Sequence, residues 1–122
     1  MHFKYTRLYT DGAGESHFED LVAELSLVDF ASSAPPLYVS KSLSSKQSSF
    51  FGAPAGWISD WHPSQGRNLF VLVSGSWEIE ASDGEIRIFS PNQTLLVEDT
   101  TGKGHRSKVV GDKESLAVLV QF

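Results

Sequence analysis

From residue 68 to the end, the sequence alternates between apolar and polar residues in short runs. "SWEIEAS" sets Trp77, Ile79 and Ala81 on one face and Glu78 and Glu80 on the other, the period-two pattern of a half-buried strand. Asp83-Gly84 follows, a pair that favours a tight hairpin because glycine tolerates positive φ. "EIRIF" alternates again, with Ile86 and Ile88 opposite Glu85 and Arg87. Around these lie "NLFVLVSG", an apolar run ending in a turn, then the turn "SPNQ", the strand "TLLVED" and the loop "TTGKG". "HRSKVV" and "SLAVLVQF", separated by "GDKE", close the chain. Short strands at regular spacing with turn signals between them predict a β-sandwich or barrel.

The first half is less patterned. "FKYTRLYT" alternates weakly, and "FEDLVAELSLVDF" fits a strand or a short helix by pattern alone. It lacks the clean four-residue stripe of a helix, which favours strand. "ASSAPPLYVSKSLSSKQSS" is rich in Ser and Pro. Pro35 and Pro36 have no backbone donor and break regular pairing, so the segment reads as a connection with a short strand at Leu37 to Val39. What precedes it is too short to own a core. The 122 residues therefore read as one domain, 1–122.

Composition removes several function classes. A net charge of −5 argues against non-specific nucleic-acid binding, which needs a basic face; Lys103, Arg106 and Lys108 read as part of a solvated strand or loop. The chain has no cysteine, which excludes disulfides, a thiolate nucleophile and Cys-ligated zinc or iron–sulfur clusters. "MHFKYTRLYTDG" has no apolar core of signal-peptide length, and no stretch approaches a membrane span. The expectation is a soluble, cytoplasmic protein with no membrane partner.

Chemistry must then come from the four histidines, His2, His17, His62 and His105. His2 sits at a terminus and is set aside. His62 opens the central strand region and His105 begins a later strand, so adjacent antiparallel strands could bring the two together. Two imidazoles facing one pocket bind a metal or move a proton. "GAGESHFED" puts Glu15, His17 and Glu19 on one face of an alternating strand, either a metal cluster or a solvated edge. "DTTGKG" lacks the spacing of a phosphate loop, and its glycines read as turn-formers, with Lys103 free to guide an anionic ligand.

The stretch from Gly56 to Gly75 resembles the first motif of the cupin superfamily, G-x5-H-x-H-x3,4-E-x6-G. Gly56, His62 and Gly75 match in spacing; Ser64 stands at the second His and Asn68 at the Glu. "QTLLVEDTTGKGH" resembles the second motif, G-x5-P-x-G-x2-H, through Gly102 and His105, with Gln93 at the first Gly and one extra residue in the loop. The resemblance covers residues 56–122, and residues 1–55 would supply outer strands and connections. It implies an all-β cupin-type double-stranded β-helix (jelly-roll) barrel, a small-molecule ligand in the barrel lumen and a homodimer.

The resemblance also implies a site. Metal cupins use two His and a Glu of the first motif and the His of the second. Here His62 and His105 remain as possible metal ligands, with Asn68 offering a neutral carbonyl oxygen, so any divalent ion (iron, manganese, nickel or zinc) would be weakly held. Some cupin epimerases work without metal, and by that analogy His62 or His105 is the general base and Asn68 donates to a developing oxyanion. Ser64, Trp57, Glu98 and His17 are the candidate pocket residues, with Glu98 or Asp99 orienting the His105 imidazole. Trp57, Trp61, Phe70 and Trp77 line core or pocket. Arg67 points away from the lumen, into a salt bridge or a dimer contact. Three functions follow as expectations: an isomerase, epimerase or lyase using the pocket histidines, a metal-dependent dioxygenase-like cupin, or a non-catalytic metabolite-binding or sensing module.

Overall fold

The computed structural model describes residues 1–122 as eleven strands and no helix. They are β1 (His2–Thr10), β2 (Ser16–Glu24), β3 (Ser26–Val28), β4 (Leu37–Val39), β5 (Gln47–Ala53), β6 (Asn68–Ser74), β7 (Ser76–Ala81), β8 (Ile86–Phe89), β9 (Thr94–Glu98), β10 (His105–Val110) and β11 (Ser115–Gln121). With every element a strand, no helix is long and apolar enough to cross a membrane.

Alternation in the sequence becomes burial in the structure. On β7, Trp77, Ile79 and Ala81 are buried while Ser76, Glu78 and Glu80 are not. On β10, His105, Ser107 and Val109 are buried, and Arg106 and Lys108 face solvent. These strands, with β8, form a three-stranded antiparallel sheet in the order β10-β7-β8. A six-stranded sheet in the order β2-β1-β9-β6-β11-β5 faces it. Within that sheet β1 runs parallel to β9 and all other neighbours are antiparallel. Strands from both halves of the chain thus interleave.

The core lies between the sheets. The larger gives Leu8, Phe70, Leu72, Leu95 and Ala117, and the smaller gives Trp77, Ile79, Ala81, Phe89 and Val109. Aromatic pairs bridge the gap: Phe18 and Phe89 at 6.0 Å, and Phe70 and Trp77 edge-to-face at 5.8 Å. Burying a large apolar side chain contributes about 2–3 kcal/mol. The outer-face ion pairs Arg106–Glu80 and Lys108–Glu78 contribute below about 1 kcal/mol each, so the inter-sheet core dominates.

One polar bridge crosses this core. Trp77 Nε1 donates to Ser115 Oγ at 2.6 Å, and Ser115 Oγ donates to the Ser74 carbonyl at 2.9 Å. Ser115 is buried, so the indole N–H of one sheet is satisfied only by a hydroxyl of the other.

Two departures from the sequence expectations stand out, in the closure of the barrel and in β5. The stack is sandwich-like, and neither sheet closes into a barrel; the segment from Trp57 to His62 meets β10 only through isolated bridges, too few bonds to make another full strand. The Ser- and Pro-rich stretch holds the expected short strand, as β4, paired with β3 in a hairpin whose six strand residues are all exposed. The same stretch ends inside β5, a seven-residue strand paired with β11. Every residue of β5 but Ala53 is exposed, and an edge strand needs only its ladder bonds, so serines suffice there and no apolar alternation marks it.

Replacing Ser115 by Ala strands both the Trp77 N–H and one acceptor contact of Ser74. We expect Ser115→Ala to lower unfolding free energy by about 1–3 kcal/mol in urea denaturation, with near-unchanged far-UV circular dichroism.

Candidate functional site

The segment leading from Gly56 runs antiparallel beside β10. The Trp57 carbonyl accepts from Val109 N–H at 2.9 Å and Ser59 N–H donates to the Ser107 carbonyl at 2.8 Å. Two more bonds join His62 and His105 reciprocally, 2.9 Å from His62 N–H and 3.0 Å from His105 N–H. Between Ser59 and His62 the pairing slips by one residue, and a one-residue slip exchanges the faces of a strand. The slip turns His62 inward beside His105, with ring centroids 4.7 Å apart. Trp61 is left outside, beneath the Arg106 guanidinium at 4.9 Å.

This approach depends on Gly104. Its φ is +72°, and an added Cβ would fall on the His62 carbonyl and the Pro63 nitrogen. Both obstacles are backbone, so no side-chain movement relieves them.

Each imidazole is held by Nδ1. His62 Nδ1 lies 2.8 Å from the Asp60 carbonyl, and His105 Nδ1 lies 2.5 Å from Asp99 Oδ2. Asp99 is fully buried, and its own carbonyl accepts from Ser64 N–H at 2.9 Å. A carbonyl or carboxylate can only accept, so in the neutral ring both Nδ1 atoms carry the hydrogen and both Nε2 atoms keep their lone pair. Neither Nε2 makes a protein hydrogen bond, and both residues line one cavity of about 660 Å³, a volume suited to a small molecule.

Of the other residues expected here, Trp57, Ser64 and Asn68 line that cavity. Asn68 corrects its expected role. Its Nδ2 donates to the Gly66 carbonyl at 3.0 Å and to Ser64 Oγ at 3.2 Å, so its N–H groups are engaged and no donor remains for an oxyanion. Its Oδ1 is buried without a partner. Ser64 Oγ in turn donates to the Gly66 carbonyl at 2.7 Å, so this hydroxyl serves the loop.

Glu98 lies outside the pocket. β9 turns Val97 towards the cavity and Glu98 to the opposite face, where Arg7 Nε at 2.7 Å and Arg67 Nε at 2.5 Å hold its carboxylate. The hydrogen bond that Arg7 donates to Glu98, with a second to Glu19, raises the Arg7 pKa above its ordinary value. Arg67 thus makes the salt bridge its phase implied, and Asp99, one residue on, orients His105.

His17 is also elsewhere. Its Nε2 meets Asp11 Oδ2 at 2.6 Å and its Nδ1 meets Asp83 Oδ2 at 2.9 Å, which ties the β1–β2 turn to the β7–β8 turn. Glu15 pairs with Lys103 and Ser82, and Glu19 with Arg7. The acidic residues around His17 are therefore split among separate partners, and Lys103 is paired outside the cavity. Hydrogen bonding, to Asp11 first and then Asp83, raises the His17 pKa above its ordinary value.

Aromatic rings and apolar side chains form the rest of the cavity wall. Trp57 and Trp77 lie 5.3 Å apart, and Phe51 and Phe70 lie 6.0 Å apart; all four rings line the cavity. Gln65, Thr100 and Ser107 line it too and were not singled out from sequence. Ser107 was within reach, since it shares the phase of His105 and Val109. Gln65 and Thr100 sit in loops that have no period to read.

A divalent metal does not fit these residues tightly. No three His, Asp or Glu side chains gather around one point, and a tight transition-metal site takes at least three protein ligands. Two imidazoles are available, the Asp99 carboxylate is engaged by His105, and Asn68 adds only a buried neutral oxygen.

No family model matches the chain, and no curated protein matches it.

Two predictions follow from this geometry. Gly104→Ala pushes the His62–Pro63 peptide off β10, and we expect it to cost at least about 2 kcal/mol of stability and to shift the His62 and His105 ring signals in NMR. A His pKa raised on folding adds stability that is complete below the unfolded value and lost as pH rises through the folded one. The melting temperature of the protein should therefore exceed that of His17→Asn most near pH 5.5, with the gap shrinking towards pH 9.

Proposed function

We propose that residues 1–122 form a single cupin domain whose cavity binds a small molecule and moves a proton within it, as an isomerase, epimerase or lyase does. The observation that carries this reading is the buried Asp99–His105 pair, with His105 Nε2 left open to the cavity. The cupin resemblance supports it independently. The His of the first motif and the His of the second, far apart in sequence, lie ring to ring.

His105 Nε2 takes a proton from an acidic C–H of the bound molecule, and the electron pair of that bond stays on the substrate carbon. Asp99 stabilises the imidazolium that results and keeps its Nδ1–H in place, which makes Asp99 a positioning residue. The proton then returns to a neighbouring atom or to the opposite face of the same carbon. In a lyase, the electron pair instead expels a leaving group. His62 stands close enough to serve as the second acid or base.

The test begins with a thermal-shift screen of small metabolites, followed by incubation of each binder in D2O and proton NMR. We expect the protein to wash out one C–H signal, and His105→Gln to slow this about a hundredfold or more. Asp99→Asn should slow exchange while binding changes little. Unchanged exchange in His105→Gln would remove the assignment, and binders that show no exchange at all would leave a non-catalytic binding module.

A further inference from the structure

The cavity holds more information about its ligand than the presence of a base. Resting on the reading above that this cavity is a small-molecule site, we infer that it selects an apolar ring that presents hydrogen-bond donors and carries no negative charge. Three independent assignments of hydrogen positions lead there.

The first two are the imidazoles. His62 Nδ1 faces a carbonyl and His105 Nδ1 faces a carboxylate; in the neutral form each ring offers the cavity a lone pair at Nε2. The third is the Asn68 amide. The Gly66 carbonyl accepts from its Nδ2 at 3.0 Å, which fixes the orientation of the amide because a carbonyl cannot donate. Asn68 Oδ1 is consequently the group left unpaired, and it is buried. Asp99 Oδ1, behind His105, is a second buried oxygen without a partner. This end of the cavity therefore has lone pairs on its surface, and beneath it one carboxylate oxygen and one neutral amide oxygen without partners.

No Lys or Arg lines the cavity. The nearby cations are committed on outer faces, Arg67 to Glu98, Arg106 to Glu80 and Lys103 to Glu15. A carboxylate or phosphate entering here would lose its water and meet lone pairs, with no cation to replace that hydration. A hydroxyl or ammonium group would meet acceptors that fit it. The remainder of the wall is aromatic, with Trp77 at 5.3 Å from Trp57 and 5.8 Å from Phe70, which suits a flat ring. A site built around acceptors rejects ligands that cannot donate to them, since its own groups are then left unsatisfied.

Three probes of one ring size separate the possibilities: resorcinol with two neutral donors, benzylamine with a cationic donor, and benzoate with an anionic acceptor. Each is titrated into the full chain at pH 8, above the ordinary titration range of imidazole, and followed by tryptophan fluorescence and calorimetry. We expect resorcinol and benzylamine to bind at least about tenfold tighter than benzoate, about 1.4 kcal/mol. Which of the two binds more tightly distinguishes a hydroxyl from an ammonium head group. His62→Ala should narrow the gap to benzoate without abolishing ring binding, because the aromatic wall remains. Benzoate binding as tightly as the donors would overturn the selectivity and leave the cavity as a small-molecule site. Saturation by none of the three would strike the cavity reading itself, and the inference with it.

Discussion

The reciprocal main-chain pair between His62 and His105 is the contact on which the site depends. Two N–H···O bonds, at 2.9 and 3.0 Å, lock a loop residue opposite the first residue of β10. Everything the site can do is set by that registration. A slip of one residue would put Trp61 in the cavity and His62 outside it. The bond pair itself is possible only because Gly104 lets the two backbones touch. Neither imidazole has to find its place by side-chain contacts alone, and each needs only one further bond, at Nδ1, to fix its ring.

The surroundings of His105 cost stability. Burying the Asp99 carboxylate costs free energy that one short bond to an imidazole and a single-residue backbone tie do not fully offset. One of its oxygens has no partner, and Asn68 nearby carries another unpaired oxygen. The inter-sheet core supports this expense. Phe70, Trp77 and Leu95 contribute to the apolar core and also line the cavity, so packing and site share the same side chains. Unsatisfied groups gathered at one end of an otherwise well-packed sandwich fit the site proposed there.

Much of the fold was legible from residues 68 to 121, where alternation is strong and turns are marked by Asp83-Gly84 and similar pairs. The strands β7, β8, β9 and β10 follow those signals, and Trp77, Ile79 and Ala81 face inward as the pattern requires. β5 was hidden because its ladder bonds demand nothing of its side chains. The meeting of His62 with His105 could be anticipated, but the division of labour between Glu98 and Asp99 could not. The two carboxylates differ by one residue, and only the end of β9 decides which faces the imidazole. His17 was misplaced for a related reason. Sequence spacing brings a histidine near acidic neighbours without saying that two turns, carrying Asp11 and Asp83, close on it from opposite sheets. Asn68 lines the cavity, but its amide direction is set by the carbonyl of Gly66, and a backbone carbonyl leaves no trace in sequence.

Because the two central histidines are aligned by main chain, the side chains at Gln65 and Thr100 are not what holds the loop against β10. Amide and carbonyl groups are the same in every residue, so they persist when side chains are exchanged. Such a scaffold separates inheritance of shape from inheritance of taste. Substitutions at those two lining positions can redraw what the cavity accepts while the two histidines stay in register, which gives the fold room to acquire new ligands by small steps.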